Sequence, residues 1–319
     1  MGIIIWKYKE LLFMKIGVPG GLLYSKYSIL INTFLEEIGA EIIVSKDTNK
    51  KILDEGVKYC VDDACLPVKI FHGHVAELRG KCDLILIPRI MQLKKREFIC
   101  PKFCGLPEMI KSSIENLPQI FDEPIYAYDE RKLKKWFKAL GNNFTHSFIK
   151  IEKAYDYAME RYKTMPEGIN DRGYNIKVAL IGHPYNVYDN YTNMNLVSKL
   201  NNLGVGIITE DVVNSYAIDN EVSNLYKRPF WTFAKNSYGS ITHLVKEKKI
   251  DGVIYISSFA CGIDSVTIEL VKHRIEEFPF LVLKIDEHTG EAGLDTRIEA
   301  FVDMLARRDF NENNFSTFG

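Results

Sequence analysis

No apolar run in this chain approaches the ~20 residues that a membrane span requires. No basic tail or stripe appears either. Lys and Arg number 41 against 42 Asp and Glu, for a formal net charge of -1. The electrostatic footprint of a nucleic-acid binder is therefore missing, and neither a bilayer nor nucleic acid is an expected partner. A Walker A phosphate loop is also absent, which excludes a P-loop ATPase. Residues 1–13 place their apolar residues before their lysines, the reverse of a secretory signal. They read as a start-site extension, with Met14 opening the folded chain. Without an export signal, a cytoplasmic location is expected, and structural disulfides are not. In that setting the six cysteines point to metal or redox chemistry.

What is present is an alternation of short buried strands and amphipathic helices. Residues 15–18 read as a strand, Gly20 and Gly21 as a turn, and 27–38 as a helix stopped by Gly39. A second strand covers 41–45. Residues 59–78 contain a helix that Asp62 and Asp63 can cap and whose first turn holds Pro67. Residues 84–88 lack polar alternation, the mark of a strand buried on both faces. The loop 89–107 carries Cys100 and Cys104. From 126 to 163 the chain is helical and rich in Lys and Glu. The alternation then restarts, with strands at 177–182, 205–209, 252–257 and 279–285. Helices are expected at 193–203, 230–248, 265–277 and 296–308. The expected fold class is α/β, with two Rossmann-like lobes of parallel sheet joined by a helical linker. The boundaries are 14–125 for the first lobe, 126–175 for the linker and 176–319 for the second lobe.

Three cysteines stand at places where such folds bind ligands. Cys65 lies at a helix start, and Cys100 and Cys261 lie in loops that follow buried strands. Loops at the carboxyl ends of parallel strands form the binding crevice, and helix starts favour thiolate. Spacing alone leaves two readings open, a shared cluster or unrelated small buried thiols. A zinc site from Cys60, Cys65, His72 and His74 is disfavoured, because residues two apart do not share a helical face. His72 and His74 read instead as caps, packing groups or substrate contacts. Cys82 reads as a core thiol. Cys104 could support or replace Cys100, and Cys60 is equally ambiguous. Lys69 and Lys102, near the cysteine loops, read as surface charges, the alternative being that they lower thiolate pKa or attract an anionic substrate. His183 and Tyr185 follow a strand and could reach a crevice. In the loop 286–291, Glu287, His288 and Glu291 are candidate proton-moving groups. The alternative for that loop is helix capping and ion pairing with Arg297.

Five strings carry a family likeness: IGVPGGLLY (16–24), DDACLPVKIFHGHV (62–75), LILIPRI (84–90), ICPKFCGLPEMI (99–110) and IDEHTGEAGLDTRIEAFVDM (285–304). Together they resemble the 2-hydroxyacyl-CoA dehydratase-like iron–sulfur proteins, in particular the acyl-CoA dehydratase activase-related branch. The resemblance implies a [4Fe-4S] cluster on Cys65, Cys100 and Cys261, with one iron left open. A double-cubane [8Fe-9S] cofactor is the alternative, and would draw on all six cysteines. It implies low-potential electrons delivered by an ATP-dependent activase of the actin-like ATPase fold, in an anaerobic setting. The electrons would serve reduction or radical dehydration of a CoA thioester or another small molecule. A non-enzymatic electron carrier or regulatory partner of an activase is the other reading. Full dehydratase subunits are longer and work in pairs, so a homodimer or heterodimer is implied. Gly20 stands where related chains often carry Arg, which leaves the reaction open.

Overall fold

The computed structural model of the chain describes residues 14–315, with side chains as far as 308. The extension at 1–13 lies outside the described residues. The chain divides into two compact units, with the boundary between Pro166 and Glu167.

The strands of the first unit are β1 (Lys15–Val18), β2 (Glu41–Val44), β3 (Leu84–Leu86), β4 (Arg89–Gln92), β5 (Gln119–Phe121) and β6 (Pro124–Tyr126). Four of them form a parallel sheet in the order β2-β1-β3-β5, and β4 pairs with β6 in a separate two-stranded parallel ladder. Every residue of β3 is buried, as its unbroken apolar run requires. The helices are α1 (Tyr24–Ile38), α2 (Lys50–Tyr59), α3 (Leu66–Leu78), α4 (Lys102–Ser113), α5 (Glu130–Gly141) and α6 (Phe148–Thr164). Gly39 ends α1 at φ 80°, and its N–H donates to the Glu36 carbonyl, the left-handed stop that glycine permits. Asn49 starts α2 by accepting from the N–H groups of Lys51 and Ile52.

Two glycines let α2 and α3 touch backbone to backbone. A Cβ on Gly56 would lie 2.0 Å from the Lys69 carbonyl oxygen, and one on Gly73 would lie 1.9 Å from that of Ile52. The core then explains the stretch expected as a linker. Trp136, Phe137 and Leu140 of α5 and Ile151, Ala154, Tyr155 and Ala158 of α6 are buried together with Phe34, Leu84 and Leu86. Phe34 meets Phe137 edge-on at 4.7 Å. These apolar residues recur every three or four positions, the stripe of a helix that buries one face. The two helices are thus part of the first unit.

The second unit repeats the plan. Its strands are β7 (Ile176–Gly182), β8 (Val205–Thr209), β9 (Gly252–Ser258) and β10 (Phe280–Ile285), all parallel and ordered β10-β9-β7-β8. Its helices are α7 (Pro184–Val187), α8 (Leu196–Asn202), α9 (Ser215–Val222), α10 (Thr232–Lys246), α11 (Gly262–Ile275) and α12 (Glu291–Phe315). Ala179, Ile181, Val253, Tyr255, Ile241 and Val271 lie in its core. The helix expected from 193 begins only at Leu196, because Met194 and Asn195 both hold positive φ, 54° and 57°.

In each unit the first strand is central, the second lies on one side of it and the third on the other. Strand order therefore reverses between β1 and β3, and again between β7 and β9. A parallel sheet opens a crevice beyond its carboxyl ends at such a reversal. No helix among the described residues is long and apolar enough to cross a membrane.

Candidate functional site

In the first unit, Cys65 is the residue that begins α3. Its backbone is extended (φ −67°, ψ 153°), and Pro67 sits in the first turn. Its carbonyl accepts from the N–H groups of Val68 and Lys69 at 3.0 and 3.2 Å. Cys100 stands two residues before the first residue of α4, just ahead of its cap Pro101, with its carbonyl accepting from Phe103 N–H at 3.0 Å. Burial pushes the Cys100 thiol up, while a hydrogen bond from the Lys102 N–H and the Lys102 ammonium work the other way. The charges of Cys65 and Cys104 also act on Cys100, and that of Cys65 acts on Cys60. Cys65 is thus within electrostatic reach of Cys60 and of Cys100, and Cys100 of Cys104. Burial raises Cys60 as well, opposed by the Val61 N–H and by Lys69.

Lys69 is not a surface charge. Only 3% of it is exposed, because α3 turns that face towards α2 where Gly56 allows close approach. Lys102 is half-buried. Cys104 donates its S–H to the Ile90 carbonyl at 3.7 Å, and the Cys104 carbonyl accepts from Arg89. Arg89 also meets Glu108 and Asp122 and so ties β4 to the helix that carries Cys104.

The histidines of α3 have other tasks than metal. His72 donates through Nδ1 to the Val68 carbonyl at 2.8 Å, and burial pushes its pKa down. His74 lies between Ser45 Oγ at 2.8 Å and Thr48 Oγ1 at 3.0 Å. Ser45 in turn accepts from Gly20 N–H at 2.7 Å. Cys82 is buried, with its thiol directed at the Leu78 carbonyl. It occupies the space over Gly17, where a Cβ would come within 2.5 Å of its sulfur.

In the second unit, Cys261 is the residue that begins α11, just beyond β9 and a turn through Ala260 at φ 61°. Its sulfur, a ring nitrogen of His183 and a carboxylate oxygen of Asp264 all lie within 4.8 Å of one another. Among the described residues this is the one group of three such donors gathered so closely. Zn–S bonds of ~2.3 Å set tetrahedrally bring ligands within about 4 Å of each other, so the thiols near Cys65 do not form a mononuclear zinc site.

His183 directly follows β7, and Asp264 lies in the first turn of α11, so both stand at the reversal between β7 and β9. Both are buried, with His183 Nδ1 3.2 Å from Asp264 Oδ2. The other carboxylate oxygen accepts from Tyr255 OH at 2.9 Å. Burial works against charge on His183, but Asp264 outweighs it and raises the His183 pKa. The reverse holds for Asp264, whose pKa His183 draws down against the effect of burial. Each thus favours the charged form of the other, and the two make a buried ion pair. Tyr185 stacks on the His183 ring at 5.1 Å, and Phe233 meets it edge-on at 5.2 Å. Asn186, fully buried, accepts from Ser258 Oγ at 3.1 Å. Its amide nitrogen has no partner, which leaves one buried donor unmatched beside the Cys261 loop. Asp264 and Asn186 were not singled out by the sequence. Asp264 falls three residues after Cys261 at a helix start, a spacing that puts both on one face.

The loop 286–291 is a capping turn. Asp286 accepts from His288 N–H at 2.9 Å and from Thr289 Oγ1 at 2.8 Å. Glu291 is ion-paired with Lys199, which also holds Asp295. The His288 side chain is 86% exposed, and Glu287 is half-buried. Arg297 donates to the Val282 carbonyl.

Residues 15–213 match the family model of the CoA enzyme activase uncharacterised domain (DUF2229). Residues 138–305 match that of the 2-hydroxyglutaryl-CoA dehydratase D-component. No curated protein matches the chain. The matches overlap in the middle and each takes in more than half of the sequence; the chain belongs to the CoA enzyme activase-related, 2-hydroxyglutaryl-CoA dehydratase D-component family.

Proposed function

We propose that this chain holds a [4Fe-4S] cluster on the thiolates of Cys65, Cys100 and Cys261. In this reading it receives low-potential electrons from an ATP-dependent activase and acts on a CoA thioester. The observation that carries the reading is the position of the three cysteines. Cys65 and Cys261 cap the starts of helices and Cys100 directly precedes a third helix's cap, while Cys65 acts electrostatically on both Cys60 and Cys100.

The donor set suits such a group. Thiolate is the iron–sulfur ligand, and helix-start N–H groups favour it. Lys69 and Lys102 place positive charge beside Cys60 and Cys100. In the second unit a ring nitrogen of His183 lies within 4.8 Å of the Cys261 sulfur, and Asn186, bonded to Ser258, carries an unmatched buried N–H. A bound cluster supplies one-electron transfer at a potential set by hydrogen bonds to its sulfurs, by charge and by burial. Cys104 spends its S–H on the Ile90 carbonyl, so Cys100 is the better placed of that pair. Cys82 is sealed against Gly17, which disfavours the six-cysteine double-cubane alternative.

A second reading rests on one observation, the three donors of His183, Cys261 and Asp264 within 4.8 Å. It is a single transition-metal ion held by the second unit. Electron delivery tests the first reading. Anaerobic protein mixed with an activase of the actin-like ATPase fold gains the paramagnetic signal of a reduced cluster with ATP and not with ADP. No signal under either nucleotide, from a protein reducible by dithionite, would overturn the activase partnership.

A further inference from the structure

The first unit contains a cavity of about 250 Å3. It lies at the carboxyl ends of β1 and β3, where the strand order reverses. Val18 and Leu86, from those two strands, form part of its wall, with Tyr27, Trp136, Met159 and Tyr162 facing them from α1, α5 and α6. No Lys, Arg, His, Asp or Glu lines it among the described residues. Protein cores hold few voids larger than a water molecule, so space on this scale at a strand reversal marks a binding place. Water does not fill it well, because a buried water needs two to four polar partners. An engineered apolar cavity of ~150 Å3 accepts benzene. By that measure this one takes a hydrocarbon group of about six to ten carbons.

We propose that this cavity binds the hydrocarbon end of an acyl group, aliphatic or phenyl, and rejects an acyl group that ends in a carboxylate. The proposal rests on the reading of the chain as one that acts on acyl thioesters, but not on the cluster. The acyl group in the family's name, 2-hydroxyglutaryl, ends in a carboxylate. In this cavity that carboxylate would lose its water and gain no cation, a penalty that a methyl or phenyl end does not incur. The substrate of this chain thus differs from the family's namesake at the end remote from the thioester. Met159 sits on the wall of the cavity and is only half-buried, so it can be changed without opening the core.

The test is calorimetric titration of the full chain with hexanoyl-CoA, 3-phenylpropanoyl-CoA, glutaryl-CoA and CoA alone. The first two bind at least tenfold tighter than the last two. Met159→Trp fills the space and removes that advantage. Met159→Ala enlarges it and moves the preference towards longer chains, which tests the cavity even if the tryptophan variant does not fold. Glutaryl-CoA binding as tightly as hexanoyl-CoA would overturn the proposal. So would an apolar advantage that neither Met159 variant alters, or apolar thioesters that bind no tighter than CoA. Iron content measured on the same samples keeps the two readings apart: a protein that holds iron but shows no apolar preference refutes the cavity alone. Apolar preference in a protein without iron leaves the cavity standing and removes the cluster.

Discussion

Arg89 reaches the carbonyls of Asp122 and Cys104 and the carboxylates of Glu108 and Asp122 at once. Removing it leaves Asp122 half-buried with Lys111 as its remaining cation. Arg89→Ala is expected to destabilise the protein by about 1–3 kcal/mol, read by urea unfolding. The sign of its pH dependence follows from the two carboxylates. Arg89 draws Glu108 below its ordinary range, and Lys111 with Arg89 does the same for Asp122 against the effect of burial. A depressed carboxylate stabilises the fold above its unfolded pKa and loses that contribution as pH falls through its folded one. The gap between wild type and Arg89→Ala is therefore full at pH 7 and shrinks below about pH 4. Asp264 poses the sharper case, because its partner cannot reach water. Asp264→Ala strands the buried His183 and is expected to cost about 3–5 kcal/mol. Asp264→Asn keeps an acceptor for Tyr255 and costs less. An Asp264→Ala protein as stable as wild type in denaturant would show that the pair is not the ion pair described. The sequence placed Cys261 at a helix start and His183 after a strand. It could not join His183 to Asp264, because residues 81 apart meet only once β7 and β9 lie side by side.

At the scale of elements, periodicity carried most of the information. The unbroken apolar runs at 84–88 and 252–257 hold the buried strands β3, which ends at Leu86, and β9, and Pro67 marked the start of α3 as expected. The helices at 126–163 were visible too, but their destination was not. An amphipathic stripe announces that a helix buries one face and says nothing about what it is buried against. Trp136, Phe137 and Tyr155 settle on the first sheet. The contact of α2 with α3 was equally hidden, since Gly56 and Gly73 look like ordinary helix-weakening residues in the sequence. Gly56→Ala sets a methyl against the Lys69 carbonyl and is expected to cost about 1–3 kcal/mol through overpacking. Because α3 carries Cys65 at its start, the same variant is expected to loosen that loop, seen as faster modification of Cys65 by a thiol reagent. An unchanged rate would mean that the α2–α3 contact does not hold Cys65 in place.

At the scale of the whole molecule, two units share one strand order and use its reversal point differently. The first unit sets an apolar cavity there, and the second sets a buried ion pair beside a cysteine. No repeat in the sequence announced this likeness, because buried strands need only be apolar and their identities drift freely. The central claim is that thiolates of this chain hold an iron–sulfur cluster, and iron and acid-labile sulfide counted on anaerobically purified protein test it most directly. The account predicts about four of each per chain, lost in Cys65→Ala, Cys100→Ala and Cys261→Ala and kept in Cys82→Ala. A colourless anaerobic protein would contradict it. So would iron without sulfide that survives Cys65→Ala and Cys100→Ala but is lost in His183→Gln, which would favour the single-ion site.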